Sequence, residues 1–197
     1  MGDKAHKILQ TAEKLFAEGR FHEVTLDHIC HEAGVGKGTI YRYFDDKEDL
    51  YFQVILTGLD ELVESMRQVR EEVDDPREGL RRACCRVVEF YRKRKALFRL
   101  MHSEQIRGSD RKGQMWRTWR ERHHEMLDVF ADFVRMAMAA GVYTATPKPE
   151  AVARLIGGML RSGVRHEDEM PGGKDWPAAI VELLENGLLP RDNGETN

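Results

Sequence analysis

The chain has little with which to span a membrane, cross-link itself or build a sheet. Nowhere in its 197 residues does an apolar run approach the ~18 consecutive positions that a spanning helix needs, so no membrane partner is expected. The N-terminus lacks the apolar core and small-residue cleavage site of a secretory signal. Only three cysteines occur (Cys30, Cys84, Cys85), an odd number with two adjacent, which predicts reduced thiols and a cytoplasmic setting. Proline is scarce at six, and no stretch alternates apolar with polar residues for long, so the fold class expected is all-α. Chemistry is sparse too. No carboxylate pair, nucleophile motif or cofactor loop recurs at a useful spacing, and His102, His123, His124 and Cys84 do not stand at metal-ligand spacing. Gly34 to Thr39 lacks the spacing and the preceding strand of a phosphate loop. No catalytic residue, metal or cofactor is expected. A basic N-terminal patch, the usual mark of a nucleic-acid binder, is also missing: the first 47 residues carry seven Lys and Arg against eight acids.

What is present is helical periodicity. Ile8, Ala12, Leu15 and Phe16 share one face of a first helix, and Gly19 stands where a left-handed C-cap would stop it. Thr25 is set to N-cap a second helix with Leu26, Ile29, Cys30 and Ala33 inward, and Gly34 can take the left-handed angle that ends it. A short third helix starts near Gly36-Lys37. Asp46 is placed to cap a fourth that runs to about Val73. Asp75-Pro76 opens a fifth, Ala96 to Ile106 form a sixth, and a seventh runs from near Asp110 to Ala140. After a loop over 144–149 comes an eighth helix, then a break at Pro171-Gly172-Gly173 and a Leu-rich ninth reaching Leu189. Charge is uneven along this series. Residues 80–125 hold fourteen Lys and Arg against five acids, whereas 48–79 hold three against ten. The run Arg92-Lys93-Arg94-Lys95 reads first as a solvated helix end facing the negative dipole, and second as an anion site.

Local placement makes the argument that average charge cannot. No acid lies between Val35 and Phe44. Ile40 and Phe44, four apart, face inward, which leaves Lys37, Gly38, Thr39, Tyr41, Arg42 and Tyr43 to solvent. Two exposed tyrosines on a short helix imply a partner. Lys and Thr can meet phosphates or base edges, and glycine lets a backbone come close. A helix-turn-helix that reads a major groove fits these residues. The series Ala12, Leu15-Phe16, Phe21, Thr25, Ile29, Ala33-Gly34-Val35, Gly38-Thr39-Ile40-Tyr41, Tyr43-Phe44, Lys47-Glu48 and Leu50 resembles the DNA-binding end of TetR-family transcriptional regulators. It covers roughly the first quarter of the chain. The resemblance implies that Thr25, Tyr41 and Lys47 hold the DNA backbone, and that Lys37, Gly38, Thr39 and Tyr43 lie at or near bases, with Arg42 beside them. On this reading Tyr41→Ala or Lys47→Ala weakens DNA binding and leaves the fold intact.

The implied architecture is an N-terminal three-helix helix-turn-helix domain (1–47), a larger helical effector-binding and dimerisation domain (48–190) and a polar tail (191–197), with about nine helices in total. Trp116, Trp119, His123 and Met126 step along one face of the seventh helix. Together with Cys84, Val88, Met101 and His102 they form a candidate effector pocket, although plain core is the commoner meaning of such a stripe. Leu155, Met159, Ile180 and Leu184 on the last two helices form a candidate dimer interface, chiefly by resemblance. The resemblance further implies a homodimer on a palindromic double-stranded DNA operator, repression, and release by an unknown small-molecule effector. A protein-interaction module and a helical-bundle enzyme stand as the alternatives.

Overall fold

The computed structural model describes residues 2–102, 112–144, 147–170 and 175–186. Among them the chain is all-helical: α1 (Asp3–Glu18), α2 (Leu26–Ala33), α3 (Lys37–Tyr41), α4 (Lys47–Glu72), α5 (Pro76–Lys93), α6 (Lys95–Met101), α7 (Lys112–Ala139), α8 (Pro149–Arg165) and α9 (Trp176–Asn186). A 3-10 turn over Glu167–Glu169, which the periodicity does not announce, follows α8. The tail over 191–197, the break over 171–173 and the end of the ninth helix at Leu188 and Leu189 lie outside the described residues, as does the expected end of the sixth at Ile106. The chain falls into two compact units, Met1–Ser65 with Phe90–Met126, and Met66–Glu89 with Leu127–Asn197.

In the first unit, α1 packs against α2 and α6, and α2 against α3. The buried face of α1 is Ala5, Ile8, Leu9, Ala12 and Phe16, an i, i+3, i+4, i+7 series that makes one apolar stripe. Leu15, expected on that face, is only half-buried at its edge. The left-handed cap expected at Gly19 does not form. Its φ of −107° and ψ of 171° are extended, and a Cβ there would meet Val24 Cγ2 at 3.3 Å, so crowding and not handedness suits this position to glycine. Gly34 does take the left-handed angle (φ 62°), with its N–H and that of Val35 returned to the end of α2. Thr25 Oγ1 accepts from the His28 N–H at 3.1 Å, and Asp46 Oδ1 accepts from the Asp49 N–H at 2.8 Å, so both predicted N-caps are real. On α4, Gly58 faces Leu97 so closely that a Cβ would lie 2.2 Å from a leucine methyl.

Lys93 and Lys95 are exposed, as the solvated-end reading of the basic run expects, but Arg94 departs from it. Its Nε donates to Glu13 Oε1 at 3.2 Å, and its remaining nitrogens bond Glu13 and Glu61. One guanidinium thus fastens α1 and α4 to the junction of α5 and α6.

In the second unit α8 packs against α9. Gly163 of α8 serves this packing, since a Cβ there would stand 2.4 Å from the buried Trp176 indole, whereas one on Gly157 would stand 2.9 Å from Leu127 on α7. Asp75 caps α5 by accepting from the Arg77 N–H at 2.9 Å. One turn on, Glu78 accepts from Arg81 Nε at 2.8 Å and from Arg82 Nε at 2.7 Å. These guanidiniums lower its carboxyl from the ordinary 4.5 to about 2. A carboxylate held below its unfolded value adds stability above pH 4.5 and loses it as the pH falls toward 2. Glu78→Gln should therefore lower the unfolding midpoint near pH 7 and leave it unchanged near pH 2. Because the cluster reaches water, the loss should stay below about 1 kcal/mol. Thermal unfolding at the two pH values checks it.

Candidate nucleic-acid interface

The turn at Gly34 sets α3 across the end of α2, and Ile40 and Phe44 anchor it with 0% and 3% exposure. That anchoring turns the other residues out. Tyr41 is 51% exposed and Tyr43 39%, two of the few large apolar side chains that the fold leaves in water. Gly36 and Gly38 have nothing within 4 Å of where a Cβ would stand, so a second backbone can approach there. Arg42 lies over the Tyr43 ring at 5.0 Å and donates to its hydroxyl at 3.2 Å, which stiffens both. Lys37 pairs with Asp27 at 2.7 Å, and that hydrogen bond and charge raise the lysine pKa further. Thr39 is half-buried and Thr25, exposed, spends its hydroxyl on the cap of α2. Sequence reasoning missed one cation at this face. A Cβ on Gly34 would stand 3.7 Å from Lys7 Nζ, so the solvent side of α1 brings its ammonium to the turn.

Lys47 corrects the expectation that its replacement leaves the fold intact. Its Nζ donates to the Phe21 carbonyl at 2.8 Å and to the Val24 carbonyl at 2.9 Å, and it sits 4.4 Å over the Phe21 ring. At the start of α4 it therefore closes the α1–α2 loop. Its replacement cannot leave the fold untouched.

Residues 8–54, which contain this arrangement apart from Lys7, match the family described as bacterial regulatory proteins, tetR family. Over those residues the chain is similar to that family of regulators. An HTH-type transcriptional regulator of Staphylococcus aureus (strain USA300) is 29% identical over 101 residues, a match that spans 51% of this chain and 55% of the relative. Among solved structures, the fatty acid degradation regulator FadR from Bacillus halodurans superposes with a TM-score of 0.82 at 22% identity, over 97% of this chain and 99% of that one. The transcriptional regulator FadR from Bacillus subtilis, in complex with stearoyl-CoA, superposes with 0.81 at 20% identity, over 93% and 99%. These likenesses establish a shared all-helical fold.

The eight candidate pocket residues divide between the units. Cys84 and Val88 belong to the second, where both are fully buried and burial pushes the Cys84 thiol far up. The other six belong to the first. Trp116 stacks on Trp119 at 4.6 Å and 12°, and Trp119 stacks on His123 at 5.0 Å and 21°, so the predicted face of α7 exists as a ladder of rings. Met126, further along α7, is buried. Met101 and His102 join a different cluster: His102 stands edge-on to Phe98 at 4.6 Å, and Tyr91 donates its hydroxyl to Met101 Sδ at 3.9 Å. Within the ladder, Trp119 Nε1 is buried without a hydrogen-bond partner among the described residues. Of the candidate dimer residues, Leu155 is 59% exposed and Leu184 38%, Met159 is half-buried, and Ile180 is 6% exposed. Ile180 is buried within its own chain, which its periodicity on α9 could not reveal.

Proposed function

We propose that the protein is a DNA-binding transcriptional repressor. It binds a palindromic operator as a homodimer, with residues 1–47 as the reading domain and 48–190 as the effector-binding and dimerisation domain, in the cytoplasm. The observation that carries this reading is the surface of α3. An acid-free stretch anchored by Ile40 and Phe44 holds Tyr41, Tyr43, Arg42 and two open glycines in water, at the position where helix-turn-helix proteins meet the major groove. Leu155 and Leu184, exposed on α8 and α9, support a second copy as partner. Selection of bound duplexes from a random pool tests the reading. A recovered palindrome, bound with an affinity that falls steeply as salt rises, is the expected result. Recovery of no preferred sequence overturns it.

Tyr41→Ala supplies a sharper check. The side chain is half in water and does not hold the core, so the unfolding midpoint should stay put while operator affinity, read by fluorescence anisotropy, falls at least about tenfold, roughly 1.4 kcal/mol. Unchanged affinity would remove Tyr41 from the interface.

The effector follows from Trp119. A buried N–H without a partner costs about 1–3 kcal/mol, which an acceptor on a ligand would return. Rings on both faces of Trp119 suit an apolar neighbour. The FadR neighbour in complex with stearoyl-CoA adds a chemical class, an acyl thioester, whose chain is apolar and whose carbonyl accepts. Stearoyl-CoA should quench tryptophan fluorescence and release the operator. In Trp119→Phe, release should need more ligand.

A further inference from the structure

The first unit contains a second candidate site, whose lining shares no residue with α3 or with the Trp119 ladder. A cavity of about 260 Å³ opens where the end of α1 and its following loop meet α4 and α6. Its walls include three rings, Phe16, Phe21 and Tyr51, whose centroids lie 5.1–5.7 Å apart in tilted and edge-on contact. Arg20, His22 and Arg99 add the charged and polar side chains of the lining, which among the described residues contains no carboxylate. Glu23 stands beside it but is engaged, 3.8 Å from His22 Nε2 and accepting from the Arg20 N–H at 3.3 Å. The Tyr51 hydroxyl is spent on the Leu100 carbonyl at 3.3 Å. The donors left over are therefore the two guanidinium groups, neither of which has a side-chain partner among the described residues.

We propose that this cavity binds a small planar carboxylate, one aromatic ring bearing a single carboxyl group. The rings offer edges and faces to a flat apolar body, and a guanidinium fork matches a carboxylate in two parallel hydrogen bonds. The C-terminal dipole of α1 opposes an anion with about half a charge, and two full positive charges outweigh it. A cavity of this size lies just below the range of ordinary ligand pockets, which admits a single ring and excludes a long acyl chain. The site is distinct in chemistry from the proposed acyl-thioester site.

Calorimetric titration of the full chain with sodium benzoate tests the site, with benzamide and sodium phosphate as probes that lack the charge and the ring. Saturable benzoate binding is expected, at least tenfold tighter than either control. It should weaken at least tenfold in Arg20→Ala with Arg99→Ala, a double variant of exposed residues whose thermal unfolding should match wild type. Absence of saturable benzoate binding, equal binding of benzamide or phosphate, or undiminished binding in the folded double variant would each overturn the assignment. Because α1 belongs to the reading domain, bound benzoate should also shift operator affinity. That last effect rests on the proposed DNA binding, whereas the calorimetric result does not.

Discussion

Lys47→Ala should lose about 2–3 kcal/mol of unfolding free energy before any DNA is added. The Lys47 ammonium donates to the Phe21 and Val24 carbonyls and covers the Phe21 ring. Hydrogen bonds from a charged donor contribute about 1.5–3 kcal/mol and a ring contact about 0.5–1 kcal/mol, and partial exposure trims the sum. Alanine strands both carbonyls and frees the α1–α2 loop, which sits at the base of α2. For a chain of this length the midpoint should fall by about 5–10 °C. Operator affinity should fall too, even well below the lowered midpoint, because the loop positions Thr25 and through it the start of α2. Tyr41→Ala separates the two effects: it should cost affinity without moving the midpoint. A Lys47→Ala protein that melts with wild type would mean that the two carbonyl bonds carry no net energy.

That difference between two residues of one motif shows where the sequence is informative. Thr25, Gly34 and Asp46 were legible because their roles are local: a cap reaches three residues on, and a left-handed turn is a property of one residue's φ. The burial of Ile40 and Phe44, and hence the exposure of Tyr41 and Tyr43, followed from spacing on one short helix. The stacked face of Trp116, Trp119 and His123 was readable for the same reason. Gly19 misled because a glycine after a helix has two uses, and only the packing of Val24 decides between them. Lys47 and Ile180 misled because their partners are distant in the chain. Nothing within a turn of Lys47 announces a carbonyl 26 residues earlier, and nothing on α9 says that Ile180 is already covered. The cationic cavity had no sequence signature at all, since its lining comes from three separate segments.

Arg94 is the furthest-reaching case, and removing it should do the greatest damage. It sits in a run of four basic residues, yet it joins Glu13, 81 residues away, and Glu61, 33 residues away. Arg94 is 25% exposed at its side chain, Glu13 12% and Glu61 46%, so the bond to Glu13 is the one most shielded from water. Breaking a shielded pair from one side leaves the other charge uncompensated, which costs 3–5 kcal/mol when fully buried. With the exposure seen here, Arg94→Ala should cost about 3 kcal/mol by urea denaturation, while Lys93→Ala, one residue earlier and exposed, should cost close to nothing. The damage should be repairable. Glu13→Gln in the Arg94→Ala background removes the stranded charge, so the double variant should be more stable than Arg94→Ala alone, with a coupling of about 1–2 kcal/mol across the cycle. Additive losses would assign the effect to packing of the arginine stem instead. The functional consequence follows from what the guanidinium fastens. With α1 no longer tied to α4 and the α5–α6 junction, the reading domain samples more orientations, and operator affinity should fall while the surface of α3 stays intact. Restoring the fold with Glu13→Gln should not restore that affinity, because the tether, unlike the stability, needs both charges.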